Sequence, residues 1–104
     1  MSMMMEISLF PADHGESFSP YVARCLEIIE RSGLPYKLGP MGTTLEAPSA
    51  REIFAVVERC LTELQKDCHR VEGNIKFDWR AGEEPRLEEQ TAKVEQVVGH
   101  RLRT

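Results

Sequence analysis

The stretch YKLGPMGTTLEA, from Tyr36 to Ala47, predicts two short strands joined by a compact turn. The segments Tyr36 to Leu38 and Thr43 to Ala47 contain the aromatic and β-branched residues that are enriched in strands. Between them, Gly39 and Gly42 permit either a positive φ or the close approach of another group. We therefore expect a tight strand-turn-strand unit near the middle of the chain.

On the N-terminal side of this unit, the sequence predicts one strand and one helix. Residues from Met5 to Phe10 alternate between apolar and polar, which is the period of a half-buried strand. Ser19 followed by Pro20 predicts a helix start, with an N-cap hydroxyl and a proline in the first turn. Apolar residues then recur at helical spacing, and Gly33 closes the helix as a left-handed cap.

The C-terminal side repeats this order and adds a further helix. Ser49 and Glu52 form a capping box at the start of a helix of about four turns. The segment from Val71 to Trp79 alternates again and gives the clearest strand pattern in the chain. A last helix is expected from about Leu87 to Val98 and ends at Gly99.

The order strand, helix, strand, strand, helix, strand, helix fits a single fold class. Two strand-helix-strand units with right-handed crossovers produce an α+β, ferredoxin-like βαββαβ sandwich, here with an extra C-terminal helix. In that fold a four-stranded antiparallel sheet carries two helices on one face. The first and third strands are central. A length of 104 residues is typical of one domain, so residues 1–104 are treated as one unit.

The face of the sheet that the helices leave uncovered, called the open face below, is predicted to be polar but not heavily charged. Strand alternation places on it Glu6, Ser8, Thr44, Glu46, Asn74, Lys76 and Asp78. This mixture favours a subunit interface that contains a polar pocket, and hence a homodimer or a dimer of dimers. A simple solvated surface is the alternative interpretation.

Composition and targeting patterns exclude several function classes. A net charge of -4 and a pI near 5.4 argue against a nucleic-acid partner, since such proteins concentrate Lys and Arg. The N-terminus does not have the pattern of a signal peptide, and no apolar run approaches the roughly 20 residues of a spanning helix. The chain is therefore predicted to be cytoplasmic and without a membrane partner.

Catalytic and metal sites are not predicted. Cys25 and Cys60 fall on apolar helical stripes, where a thiol usually serves as a small apolar side chain. Cys68 adjoins His69, but adjacent side chains diverge and no second ligand pair lies nearby in sequence. His14 lies in a loop beside Asp13 and Glu16, and a solvated loop is the preferred interpretation over an acid–base group.

The run YVARCLEIIERSGLPYKLGPMGTTLE, together with IKFDWR in the last strand, resembles the family of small thiamine-binding proteins. The resemblance implies a ferredoxin-like fold, assembly as dimers or tetramers, and binding of thiamine or its hydroxymethylpyrimidine moiety without catalysis. The motif GPMGTTLE implicates Gly42, Thr43, Thr44 and Glu46, and the final-strand segment implicates Lys76 and Asp78 less specifically. The chain departs from the family pattern because Ala47 replaces the glycine that commonly follows the glutamate.

Thiamine combines a cationic thiazolium with a flat aminopyrimidine, so its site needs a carboxylate, hydrogen-bonding groups and preferably an aromatic ring. Glu46 or Glu6 would face the cation, and Thr44, Ser8 or Asn74 would hydrogen-bond the pyrimidine. Phe10 on the same side, or Tyr36 or Trp79 from the other side, would stack on a ring. The predicted ligand-binding residues are Ser8, Gly42, Thr43, Thr44, Glu46, Asn74, Lys76 and Asp78. No cofactor is predicted apart from thiamine as a bound ligand. The alternative function is a structural or regulatory oligomeric module without a small-molecule ligand.

Overall fold

The structure is a computed structural model that describes residues 2–15, 17–82 and 85–104. Its elements are β1 (Ser2–Pro11), α1 (Ser19–Arg31), β2 (Tyr36–Leu38), β3 (Thr43–Ala47), α2 (Ala50–Leu64), β4 (Val71–Arg80) and α3 (Glu89–Val98). The predicted element order is confirmed, although β1 is longer and α3 shorter than expected. The sequence also predicts loops at residues 12–17 and 80–85, and Arg80 of the second belongs instead to β4. Glu16, Glu83 and Glu84, within these two loops, lie outside the described residues.

The four strands form one antiparallel sheet in the order β2-β3-β1-β4. β1 is central and pairs with both β3 and β4, so that Met5 lies opposite Leu45 on one side and Phe77 on the other. The α+β, ferredoxin-like arrangement is therefore confirmed, with β1 and β3 inside and β2 and β4 at the edges. The register also confirms which residues share the open face, since Met4 pairs with Glu46 and with Asp78.

The hydrophobic core lies between the sheet and the first two helices. α1 packs on β1, and α2 packs on both β1 and β3. Met5 and Leu45 from the sheet are fully buried against Ile53 and Leu64 from α2. Burying a side chain of this size stabilises the fold by about 1.5–3 kcal/mol. The apolar stripes on the two helices therefore fix how they lie on the sheet.

The helices cover β1 and β3 but leave the same face of β4 open to solvent. Ile75, Phe77 and Trp79 point to the helix side of the sheet, yet they are 43%, 58% and 52% exposed. On α3, Val94 and Val97 are also exposed. These side chains form apolar surface that the described part of the chain does not cover.

Two helix starts show how local sequence sets the boundaries. The Ser49 hydroxyl accepts the Glu52 N–H at 3.3 Å, which confirms the N-cap half of the predicted capping box on α2. The same hydroxyl donates to the Glu52 carboxylate at 3.0 Å, so the two residues also meet through their side chains. The prediction of Ser19 as N-cap of α1 was wrong by one residue. Phe18 is the N-cap, because its carbonyl accepts the Tyr21 and Val22 N–H groups at 3.0 and 2.9 Å. Pro20 then lies in the first turn, where its missing N–H leaves no bond unmade.

The helix ends match their predicted glycines. Gly33 follows α1 with φ of 77°, and Gly99 follows α3 with φ of 91°, both in the left-handed region where a side chain is disfavoured. Within the described ranges, none of the helices has both the length and the apolar character needed to span a bilayer.

Candidate functional site

An open cleft of about 1000 Å³ lies between α1, the C-terminal half of β1 and the turn that joins β2 to β3. Small-molecule sites commonly occupy roughly 300–1000 Å³ and have mostly apolar walls. Val22 and Leu26 of α1 supply part of the apolar wall. Phe10 and Phe18 also line the cleft, with ring centroids 5.1 Å apart. The cleft can therefore hold a flat aromatic ring of moderate size.

The turn from Leu38 to Thr43 forms one wall of this cleft, and its glycines explain its shape. The Gly39 N–H donates to the Gly42 carbonyl at 2.8 Å and closes the turn. A Cβ on Gly42 would lie 3.1 Å from the Ile7 carbonyl oxygen, which is too close for most side chains. The positive-φ glycines lie elsewhere. The sequence allowed two reasons for glycine in this turn, a positive φ or the close approach of another group. The structure supports the second, because the backbone of β1 lies against Gly42.

Two carboxylates of α1 line the cleft, and the sequence analysis did not identify them as site residues. Glu27 and Glu30 lie one turn apart on the helix and are both exposed. Two carboxylates at this spacing give the cleft a negative potential that favours a cationic ligand. The sequence feature that could have indicated them is their position at the margin of the apolar stripe of α1, with Glu27 next to Leu26.

The two adjacent threonines of the motif lie on opposite faces of the sheet. Thr43 pairs with Ile7, is buried on the helix side and lines the cleft. Thr44 pairs with Glu6 and Lys37 and lies on the open face. The structure thus divides the predicted residues. Gly42 and Thr43 line the cleft, and so does Ser8, although the register places the Ser8 side chain on the open face opposite Asn74. The others, which lie on the open face away from the cleft, are Thr44, Glu46, Asn74, Lys76 and Asp78.

On the open face, the Glu46 side chain binds backbone of the segment that leads into α3. Glu46 is only 5% exposed. Its carboxylate accepts the Arg86 N–H at 2.7 and 3.0 Å and the Leu87 N–H at 3.0 Å. A carboxylate that accepts several N–H groups holds the donor segment firmly in place. Glu46 therefore anchors the segment before α3 to the sheet, a role that its position in the motif did not indicate.

Arg86 lies beside it and joins the segment before α3 to the start of β1 and the end of β4. This side chain is 4% exposed, and it donates from Nε to the Ser2 hydroxyl at 3.0 Å and from Nη2 to the Asp78 carbonyl at 2.7 Å. Its Nη1 lies 2.9 Å from Asp78 Oδ2, as a charge contact without hydrogen-bond geometry. Sequence analysis missed Arg86 because it lies in an irregular segment with no periodic pattern.

The two open-face carboxylates of Glu46 and Asp78 are carried by strands that are not neighbours in the sheet. Glu46 and Asp78 lie on β3 and β4, with Met4 of β1 between them. Two strand spacings put their backbones about 10 Å apart. Each carboxylate also has partners in the segment around Arg86. Asn74 and Lys76 are exposed farther along β4, opposite Ser8 and Glu6.

The two cysteines at the crossing of α1 and α2 behave as the apolar stripes predicted. Cys25 and Cys60 are buried free thiols, and both line the cleft. A hydrogen bond from Cys60 lowers the pKa of the Cys25 thiol, whereas that interaction and burial raise the pKa of Cys60. No histidine is among the described residues that line the cleft, so Cys25 has no imidazole base beside it.

Comparison with known proteins identifies the family. A sequence profile described as thiamine-binding protein matches residues 5–95, which is most of the chain and includes the turn, both motif threonines and Glu46. The chain belongs to this family. The resemblance predicted from the motif GPMGTTLE is therefore confirmed.

Relatives of this thiamine-binding-family member cover nearly its whole length. A UPF0045 protein of Mycobacterium bovis is 31% identical over 98 residues, which are 94% of this chain and 96% of the relative. A solved structure from Methanocaldococcus jannaschii has a TM-score of 0.79 and 26% identity, and covers 96% of this chain and 98% of its own. A solved structure of a Thermotoga maritima protein, proposed to act in thiamine biosynthesis or salvage, has a TM-score of 0.78 and 26% identity. The match covers 90% of this chain and 99% of that one.

Proposed function

We propose that this protein binds thiamine, or its hydroxymethylpyrimidine moiety, in the cleft beside α1 and does no chemistry on it. One observation supports this location above others: Gly42 and Thr43, from the most specific part of the family motif, form a wall of the cleft. The ring-sized apolar space next to that wall fits the ligand that the family is named for.

Each part of thiamine has a matching group in the cleft. The thiazolium cation would lie near Glu27 and Glu30, which supply negative charge at the exposed side. An aromatic ring of the ligand would contact Phe10 or Phe18. Thr43 would hydrogen-bond the aminopyrimidine edge. A binder needs only these contacts, and it releases the ligand unchanged.

The open face is the competing location, and it keeps the predicted contacts of Thr44, Glu46, Asn74, Lys76 and Asp78 as a hypothesis. Two of these five side chains, Glu46 and Asp78, already bind the segment around Arg86. A ligand there would have to replace those internal contacts, which costs affinity. We therefore favour the cleft.

We further propose that the protein works as a cytoplasmic homodimer or homotetramer. β4 is an edge strand of 10 residues, and its outer edge is not paired within the sheet. Ile75, Phe77 and Trp79 add an exposed apolar stripe along the same strand. Long apolar edges of this kind are a hazard for a free monomer, so a second copy of this chain is the expected cover.

The deciding experiment is isothermal titration with thiamine of the wild type, Thr43→Val and Thr44→Val. The two variants remove the same hydroxyl from neighbouring positions on opposite faces of β3, so each controls for the other. We expect stoichiometric binding without product, and a roughly threefold to tenfold loss of affinity in Thr43→Val only, as one lost hydrogen bond predicts. Thiamine diphosphate and the free pyrimidine serve as comparators.

Other outcomes would redirect or overturn the proposal. A loss confined to Thr44→Val would move the site to the open face. Formation of a product during incubation would show an enzyme. Absence of heat with all three ligands, from folded and oligomeric protein, would overturn thiamine binding and favour the alternative of an oligomeric module without a small-molecule ligand.

A further inference from the structure

We propose that Asp13, His14 and Cys68 form a binding site for a divalent metal ion of the zinc class. These residues lie outside the cleft lining, in the loop after β1 and the turn after α2. One oxygen, nitrogen or sulfur ligand atom from each lies within 4.8 Å of the others. The site is independent of the proposed thiamine cleft and departs from the expectation that the chain has no metal site.

The donor set fits zinc better than a hard cation. An imidazole, a thiolate and a carboxylate are the three ligand types that zinc combines, whereas calcium and magnesium prefer oxygen alone. Zinc bonds of about 2.0–2.3 Å place ligand atoms roughly 3.3–3.8 Å apart in a tetrahedron. Asp13 Oδ1 and His14 Nε2 are already 3.7 Å apart. Only a small contraction towards Cys68 is needed.

The loop that carries two of the ligands is held in place by backbone contacts. The Ala12 N–H donates to the Arg70 carbonyl at 2.8 Å. The His69 N–H donates to Asp13 Oδ2 at 2.8 Å, which leaves Oδ1 directed towards His14. An outer hydrogen bond of this type is how proteins commonly orient a metal ligand. The loop therefore presents the ligands without requiring the ion for its position.

Burial differs among the three ligands. Cys68 is buried at the base of the cluster, while Asp13 and His14 are exposed, so that an ion can reach the cluster from solvent. His14 Nε2 contacts the Asp67 carbonyl oxygen at 2.8 Å. Binding through Nε2 would exchange this contact for a metal bond, and it would leave the Asp67 carbonyl within reach as an oxygen ligand. Solvent would complete the coordination.

The charges around the cluster are consistent with a dication. Arg24 donates to both oxygens of Asp67 at 3.0 and 3.1 Å and also contacts Glu63, so its positive charge is offset by those carboxylates. The Asp13 carboxylate and a Cys68 thiolate together balance one divalent ion. In the sequence, His69 adjoins Cys68 and is the obvious second ligand. In the structure, His69 contributes only its backbone N–H to Asp13, and the imidazole of the cluster comes from His14.

The test uses chelator-treated full-length protein titrated with Zn²⁺ and, separately, with Co²⁺. We expect one equivalent of either ion to bind and to raise the thermal unfolding temperature. Bound Co²⁺ should show a thiolate charge-transfer band in the near ultraviolet. Cys68→Ser should lose the band, and His14→Gln and Asp13→Asn should each weaken binding at least tenfold.

Matched controls separate this site from the other thiols and imidazoles. Cys25→Ser removes a buried thiol outside the cluster, and His100→Gln removes an imidazole in the exposed tail, so both should bind like the wild type. Equal affinity in wild type and His14→Gln, a variant of an exposed side chain, would overturn the proposal. So would bound Co²⁺ without a thiolate band, or no binding at millimolar ion.

Discussion

β3 and β4 flank the same central strand, yet they differ in how their side chains are covered. Both are antiparallel to β1, and both alternate in register with it. On the helix side, Leu45 of β3 is completely buried, whereas Phe77, its counterpart across Met5, is mostly exposed. α2 lies over β3, and the described helices do not enclose β4.

This difference shows that an alternating pattern reports which residues share a face, but not what covers that face. The apolar residues of β4 are as regular as those of β3. The described helices do not cover them, and the proposed second copy would. The comparison of β3 with β4 therefore yields predictions that differ in size.

The largest effect is expected from Leu45→Ala. Removing a fully buried side chain of this kind costs about 2–5 kcal/mol of the free energy of unfolding, because a cavity remains. Phe77→Ala should cost under about 1 kcal/mol in the monomer, since much of its ring is in water. Urea denaturation at low protein concentration measures both. Equal losses would mean that Phe77 is buried in solution, and would contradict the difference in cover between β3 and β4.

Arg86→Met should have the next largest effect, about 2 kcal/mol, measured by the same denaturation. It removes charged donors to Ser2 and Asp78, and so detaches the segment before α3 from β1 and β4 on the open face. The matched control is Arg80→Met, whose exposed side chain lies 3.7 Å from the same Asp78 carboxylate and should cost roughly 0.5 kcal/mol or less. A similar cost for both variants would contradict the role assigned to Arg86.

Acid should weaken the contact that Arg24 of α1 makes with the end of α2. The hydrogen bond from Arg24 lowers the pKa of Asp67 below its ordinary 3.8, and Lys66 followed by Arg24 lowers that of Glu63 below 4.5. A lowered folded-state pKa gives stability that is present above the unfolded value and lost as pH falls through the folded value.

We therefore expect the free energy of unfolding, measured in chelator, to decline below about pH 4.5. The decline should be shallower in Arg24→Met, because that variant lacks the contact between α1 and the end of α2. Denaturation curves at pH 7 and pH 3 check this. An identical slope in both proteins would remove Arg24 as the cause.

The smallest change in monomer stability is expected from Trp79→Gln, within about 0.5 kcal/mol, since the ring is half exposed. The same variant should lower the oligomeric mass measured by light scattering if a second copy covers β4. Gln96→Glu on α3, an exposed change away from the stripe, is the control. An unchanged mass in Trp79→Gln would place the interface elsewhere.

Sequence reasoning predicted the backbone arrangement well because it depends on repeating patterns. Alternation in β1 and β4, the capping box at Ser49 and the glycines after the helices each produce a local signal. The sheet order then follows from connection rules, and the family from the motif around Gly42.

The remaining features depend on contacts between residues far apart in sequence. The bond of Glu46 to the Arg86 N–H spans 40 residues, and nothing near either position indicates it. Glu27 and Glu30 looked like ordinary solvated helix residues until α1 was placed beside the turn. Alternation correctly assigned Thr43 and Thr44 to opposite faces of the sheet. It could not show which face has a cleft, because the cleft is formed by the packing of α1 against the turn. Whether the predicted site residues bind ligand stays a prediction.

The contact between Arg86 and Ser2, which are 84 positions apart, also bears on how the chain is made. On the ribosome, β1 emerges first, but the strands that pair with it are synthesised later, and Arg86 follows all of them. A chain truncated before this arginine keeps every strand of the sheet but lacks the side-chain contacts that Arg86 makes with Ser2 and Asp78. We expect such a truncated chain to form the sheet, with the start of β1 held less firmly than in the longer chain.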